Sequence, residues 1–142
     1  MHKFIFAGGL LACCLYALLR GGWPERAGAL ILLAGSILTA AAMSPAAGRF
    51  ATVELGVLAV DLLVLAAFVA VALKSDRYWP LWTSALQFAG VLVHLARLAD
   101  PEMMRNGYAF LLAVWSYPML VTIAVGTRAH RQRVKRRSAE TT

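Results

Sequence analysis

Charged residues are few in this sequence, and acidic residues are rarer than basic ones. Of the 142 residues, 14 are Lys or Arg and 7 are Asp or Glu, whereas 61% are hydrophobic. A soluble domain of this length leaves much of its surface in water and cannot bury so large an apolar fraction. The composition therefore excludes an ordinary soluble domain and favours a chain surrounded by lipid.

Motifs of catalysis and metal binding are also missing. The sequence has no glycine-rich phosphate loop, no paired histidines at metal-ligand spacing and no serine nucleophile motif. Its 2 cysteines, Cys13 and Cys14, are adjacent within an apolar stretch. That position favours packing over a disulfide framework or a metal site. The sequence favours a protein that is not an enzyme and has no metal site.

What the sequence does contain is five apolar stretches separated by short polar connectors. They cover residues of about 4–19, 27–43, 51–73, 81–98 and 108–127. At ~1.5 Å per residue such stretches reach roughly 24–35 Å, which matches the ~30 Å hydrocarbon layer of a bilayer. Continuous apolar runs favour helices over the alternating strands of a barrel. We therefore predict an all-α integral membrane bundle of five transmembrane helices within residues 1–127.

Basic residues are distributed unequally between the two ends of the predicted helices. Three lie at one end: Lys3, Arg49 and Arg105. Ten lie at the other end or just beyond it: Arg20, Arg26, Lys74, Arg77, Arg128, Arg131, Arg133, Lys135, Arg136 and Arg137. Loops rich in Lys and Arg stay on the cytoplasmic side of a membrane. The distribution predicts an N-terminus outside and a basic cytoplasmic tail at 128–142.

The net charge of +7 would suggest nucleic acid as a partner if the protein were soluble. Here, the six basic residues of the tail, Arg128 to Arg137, directly follow an apolar stretch. A basic cluster in that position contacts anionic lipid headgroups, at about 1 kcal/mol per residue. The predicted partners of the tail are therefore membrane lipids and not nucleic acid.

Five polar or charged residues interrupt the third and fourth stretches. Glu54 and Asp61 are seven residues apart and share one helical face, and Gln87, His94 and Arg97 share another. Because a short connector joins the two stretches, we expect antiparallel neighbours. Their register predicts Glu54 opposite Arg97 and His94, and Asp61 opposite Gln87. An isolated Asp61 facing lipid would cost about 2.5–3.5 kcal/mol, so we expect it to face the bundle.

Two interpretations of these polar residues remain open. They can form a buried set of hydrogen bonds that fixes helix pairing, or a hydrated site in which Glu54, Asp61 and His94 pass protons or hold a ligand. Ionisable groups within a membrane favour function as a class. His94 is the only histidine inside an apolar stretch. It can bind haem from one side, although a histidine with polar neighbours is more often hydrogen-bonded.

Aromatic and small residues complete the pattern. Trp79 lies near the predicted cytoplasmic interface and Tyr108 near the outer one, as expected of membrane-anchoring aromatic belts. Gly28 and Gly35 lie seven residues apart and predict a close approach of two helices. Pro118 lies inside the fifth stretch and predicts a kink there.

Three segments of the sequence resemble a group of small uncharacterised polytopic membrane proteins of alphaproteobacteria. They are Lys74-Ser75-Asp76-Arg77-Tyr78-Trp79-Pro80-Leu81-Trp82, Trp115-Ser116-Tyr117-Pro118 and Gly126-Thr127-Arg128. The resemblance covers mainly the last three stretches. It implies a multi-pass protein of the bacterial inner membrane and implies no activity.

From these observations, we predict a subunit or partner of a larger membrane assembly, bound to copies of itself or to another membrane protein. The alternative is a proton-coupled or ion or small-molecule transporter or channel element that uses the polar residues of the third and fourth stretches. A further alternative is a haem-binding redox subunit that uses His94.

Overall fold

Five helices and no strand make up the part of the chain that the computed structural model describes, residues 2–43, 55–100, 102 and 104–141. The helices are α1 (His2–Arg20), α2 (Trp23–Ala42), α3 (Leu55–Lys74), α4 (Trp79–Ala99) and α5 (Arg105–Glu140). Each contains most of one predicted apolar stretch. The prediction of an all-α bundle is confirmed.

Four of these helices, α2 to α5, are long and apolar enough to cross a membrane. The apolar part of α1, Phe4–Arg20, is shorter. Within the described residues, the prediction of helices long and apolar enough to span a membrane is therefore confirmed for four of the five, and their insertion into a membrane stays a prediction. A crossing by α1 stays a prediction.

The helices α2 and α4 begin in the same way, with a Trp-Pro pair. Trp23-Pro24 opens α2 and Trp79-Pro80 opens α4. Proline fits the first turn of a helix because the main-chain N–H groups there have no partner within the helix. In α2 the side chain of Glu25 also accepts a hydrogen bond of 2.9 Å from the main-chain N–H of Gly22. These features explain why the connectors 21–22 and 75–78 are short.

The helices form a closed ring. Each helix packs against its neighbours in the chain, and α1 also packs against α5. The α1–α2 and α3–α4 connectors lie at the same end, which we call the basic end because Arg20, Arg26, Lys74 and Arg77 lie there. Both cysteines are free thiols, and Cys13 helps to close the ring because it donates to the carbonyl of Leu120 in α5 at 3.2 Å.

Glycines allow two close contacts between helices. A Cβ atom at Gly35 would lie 2.7 Å from Cγ2 of Val64, so the predicted close approach at that position is present. A Cβ atom at Gly28 would lie 2.5 Å from Cη2 of Trp79. Trp79 is only 7% exposed, and its ring also packs edge-on against Phe68 at 6.5 Å. Trp79 is therefore a core residue, contrary to the prediction that it anchors the membrane interface.

The last helix continues well beyond the predicted end of the fifth stretch. It has 36 residues, contains Pro118 and runs without a break to Glu140. A helix of this length spans about 54 Å and the hydrocarbon layer of a bilayer is only ~30 Å thick, so a crossing by α5 would leave about 20 Å of it outside. The predicted tail is thus a helical extension of α5. Its basic residues are exposed, except that Arg131 is partly covered and lies 6.0 Å from the Tyr16 ring.

Candidate functional site

A hydrogen-bonded cluster joins α3, α4 and α5 toward the end of the bundle opposite the basic end. Oδ1 of Asp61 accepts a hydrogen bond from Nε2 of Gln87 at 3.1 Å, and the same nitrogen lies 3.1 Å from the Asp61 carbonyl oxygen. Oδ2 of Asp61 lies 3.0 Å from Nε2 of His94. Asp61 in α3 thus binds two side chains of α4 at once.

The histidine extends the cluster to α5. Its Nδ1 atom lies 2.6 Å from the hydroxyl oxygen of Tyr108, and the two rings meet edge-on at 5.5 Å. Neither His94 nor Tyr108 has any exposed surface, whereas the Asp61 side chain is 22% exposed. Of Asp61, His94 and Tyr108, Asp61 is therefore the residue through which a proton or a ligand can reach the cluster.

Two of the proton arrangements that fit these distances differ by one proton on Asp61. In the first, Nε2–H of His94 donates to an ionised Asp61 and the Tyr108 hydroxyl donates to Nδ1. In the second, a protonated Asp61 donates to Nε2 and Nδ1–H donates to the Tyr108 oxygen, whose own proton turns to another acceptor. The second arrangement holds one proton more than the first. The cluster can therefore take up a proton without loss of either contact of His94.

Arg97 lies behind the tyrosine. Its guanidinium carbon is 5.9 Å from the centre of the Tyr108 ring, within the range of a cation–π contact. The residue is only 5% exposed. A buried cation therefore lies against Tyr108, so that the cluster and its surroundings contain one acidic and one basic side chain.

The structure brings together four of the predicted residues, but with a different register for one of them. The expected contact of Asp61 with Gln87 is present. His94, which was predicted opposite Glu54, contacts Asp61, because side chains lean toward the N-terminus of their own helix. In antiparallel α3 and α4 this tilt moves Asp61 and His94 toward one another. Glu54 lies outside the described residues.

A cavity of about 400 Å³ lies beside the cluster, inside the ring of helices. All five helices contribute to its wall, which is mainly apolar. Asp61 and Gln87 form part of this wall, together with the aromatic side chains of Phe6, Trp115 and Tyr117. Cavities of roughly 300–1,000 Å³ with few polar groups are typical of small-molecule sites. Asp61 thus belongs both to the hydrogen-bonded cluster and to the wall of this partly open cavity.

The sequence allows haem to bind through a ring nitrogen of His94. Both ring nitrogens of His94 are hydrogen-bonded, one to Asp61 and one to Tyr108. Axial coordination of iron would require that one of these bonds break, so the arrangement does not fit haem. Within the described residues, no three His, Cys, Asp or Glu side chains are grouped as metal ligands.

A second polar cluster lies at the basic end. Glu25 has no exposed surface, and its Oε1 atom accepts a hydrogen bond of 3.0 Å from the Trp79 indole nitrogen. Nε of Arg77 lies 4.0 Å from the same oxygen, and Nη2 of Arg77 lies 3.2 Å from Nδ1 of His130. The cluster joins both connectors at this end to α5. Since all its polar contacts are internal, it is a structural tie between helices.

Sequence reasoning missed Tyr108, Trp79 and Glu25. Tyr108 and Trp79 lie close to the ends of apolar stretches, where a buried residue and an interfacial anchor give the same pattern. Glu25 lies in a connector rich in turn residues and was counted only among its charges. Its position three residues after Gly22, at the start of an apolar stretch, was the available signal of a helix N-terminus.

No protein-family model matches the chain, and comparisons with curated proteins and with solved structures gave no significant match. Its function therefore has to follow from its own side chains and cavity.

Proposed function

We propose that the chain is a proton-coupled transport element of the bacterial inner membrane, with five crossings, the N-terminus outside and the C-terminus in the cytoplasm. The observation that supports the proposal best is the position of Asp61. This residue takes part in the Asp61–His94–Tyr108 cluster through its carboxylate and also lines the partly open cavity. One group is therefore available both to a proton and to a solute.

The coupling follows from competition for that group. An ionised Asp61 offers a negative charge to a solute in the cavity, and protonation removes the charge. Because the cluster keeps its contacts in both proton arrangements, the change in charge occurs without separation of α3, α4 and α5. Hydrogen bonds from Gln87 and His94 offset the cost of a carboxylate in the membrane, which is about 2.5–3.5 kcal/mol when it is isolated.

The test is a proton flux assay in proteoliposomes that enclose a pH-sensitive dye. Under an imposed pH gradient, we expect the wild-type chain to give a proton flux and Asp61→Asn to abolish it. Glu140→Gln is the matched control, because it makes the same acid-to-amide change on an exposed residue of the α5 extension. If Asp61→Asn keeps the flux and changes only the melting temperature, the cluster is a structural contact and the proposal is wrong.

A subunit of a larger membrane assembly is the second candidate, and the helical extension of α5 favours it. About 20 Å of helix beyond the hydrocarbon carries the six basic residues Arg128, Arg131, Arg133, Lys135, Arg136 and Arg137. This surface suits anionic lipid headgroups and an acidic face of a partner or of a second copy. After mild detergent extraction we expect copurification with itself or another membrane protein. A sharp monomer peak in mass-calibrated chromatography would contradict this.

A further inference from the structure

The charge and shape of the cavity wall indicate which chemical class of solute fits it. Asp61 is the only charged side chain among the described residues that line the cavity. When Asp61 is ionised, each carboxylate oxygen accepts one hydrogen bond within the protein, from Gln87 or from His94, and has a second lone pair available. The cavity therefore offers a hydrogen-bond acceptor with negative charge at one point of an apolar wall.

Aromatic side chains on the cavity wall also determine which solutes fit. Phe6 and Tyr117 meet edge-on at 5.6 Å, and both line the cavity together with Trp115. Aromatic rings offer a large apolar surface for the apolar part of a ligand. A carboxylate and aromatic rings around an apolar space together match a protonated amine that carries an apolar body.

We infer that the cavity binds a lipophilic amine, with its ammonium group on Asp61 and its apolar body against Phe6, Trp115 and Tyr117. This inference rests on the proposed function, because it names the solute class of the same Asp61 site. In transport, the amine and the proton compete for the carboxylate. No covalent step is involved.

Binding of 4-phenylbutylamine tests the inference, with its neutral counterpart 4-phenylbutan-1-ol as the matched ligand. The full chain is placed in nanodiscs of zwitterionic lipid, and binding is measured at neutral pH by equilibrium dialysis against empty nanodiscs. We expect the wild-type chain to bind the amine about tenfold more tightly than the alcohol, as a single charge-assisted hydrogen bond gives. We expect Asp61→Asn to reduce amine affinity to that of the alcohol.

A second variant keeps the test decisive if Asp61→Asn does not fold. Gly90 lines the cavity, and a Cβ atom there would meet nothing within 4 Å. Gly90→Leu therefore fills the cavity while Asp61 stays intact, and we expect it to weaken both ligands at least about tenfold. Equal affinity of the wild-type chain for amine and alcohol, or unchanged amine binding by Gly90→Leu, would overturn the inference.

The binding and flux assays separate this inference from the proposed function. Amine binding that depends on Asp61, without a proton flux that depends on it, would support the amine site and overturn proton coupling. Proton flux that depends on Asp61, without selective amine binding, would support proton coupling and overturn the amine as solute.

Discussion

The indole nitrogen of Trp79 donates a hydrogen bond of 3.0 Å to the carboxylate of Glu25, a residue with no exposed surface. The bond links the first turn of α2 to the first turn of α4. The same carboxylate accepts a hydrogen bond from the main-chain N–H of Gly22. Two helix starts and one connector therefore depend on a single buried acid at the basic end.

Removal of the Trp79 donor should destabilise this end of the bundle. Trp79→Phe keeps an aromatic ring against Phe68 but removes the indole N–H, which leaves an oxygen of buried Glu25 without its donor. We expect a loss of about 1–3 kcal/mol in the free energy of unfolding, measured by denaturant titration in detergent. Trp82→Phe is the control, since Trp82 is 68% exposed and should change stability little. Equal effects of the two variants would contradict the assigned role of Glu25.

Two glycines in helix interiors should respond to alanine in opposite ways. A Cβ atom at Gly126 would overlap the Trp79 ring, with 2.7 Å to Cγ, whereas one at Gly90 would meet nothing within 4 Å. We expect Gly126→Ala to destabilise the protein by about 1–3 kcal/mol through overpacking. We expect Gly90→Ala to stabilise it by up to ~1 kcal/mol through helix propensity. Thermal melting in detergent measures both, and the same sign for the two variants would refute the packing of Trp79.

The role of Tyr108 in the polar cluster can be tested by removal of its hydroxyl oxygen. Tyr108→Phe leaves Nδ1 of fully buried His94 without its partner. We expect a cost of about 1–3 kcal/mol in the free energy of unfolding. In the flux assay, we also expect slower proton movement, because the proton-loaded arrangement loses the acceptor of Nδ1–H. Tyr78→Phe makes the same change on a residue that is 82% exposed and should match the wild type in both measurements.

The number of crossings can be tested by labelling of the two ends. Five crossings place residues 3 and 138 on opposite sides of the membrane, whereas four place them on the same side. In a chain without Cys13 and Cys14, single Lys3→Cys and Ser138→Cys variants are treated with a thiol reagent that does not cross membranes. We expect the reagent to label only position 3 in intact cells. Labelling of both positions, or of neither, before lysis would show that α1 does not cross.

Periodicity and charge spacing were sufficient for much of the fold and part of the site. Apolar runs predicted all five helices, and the spacing of Asp61 and Gln87 on antiparallel neighbours predicted their contact. The contact of His94 with Asp61 was not predicted, because it depends on how both side chains lean along their helices. Spacing along the chain specifies which face of a helix a residue occupies, but not the height along the helix axis that its side chain reaches.

The role of α5 was the least predictable part. Tyr108 is separated from His94 by a connector, and nothing in the spacing of the residues indicates how α5 rotates against α4. The same limit applies to Trp79, whose burial depends on glycines in two other helices, Gly28 and Gly126. Apolar faces that meet lipid and those that meet protein have the same composition, so composition does not distinguish an anchor from a core residue.

Closure of the ring by α1 and α5 has a consequence for biosynthesis. Phe6 from the first helix and Tyr117 from the last stand next to one another on the cavity wall. Since the chain is synthesised from its N-terminus onward, this pair forms only when the fifth helix has been made. Until then α1 lacks one of its two neighbours in the ring, and the cavity wall is incomplete without the side chains of α5.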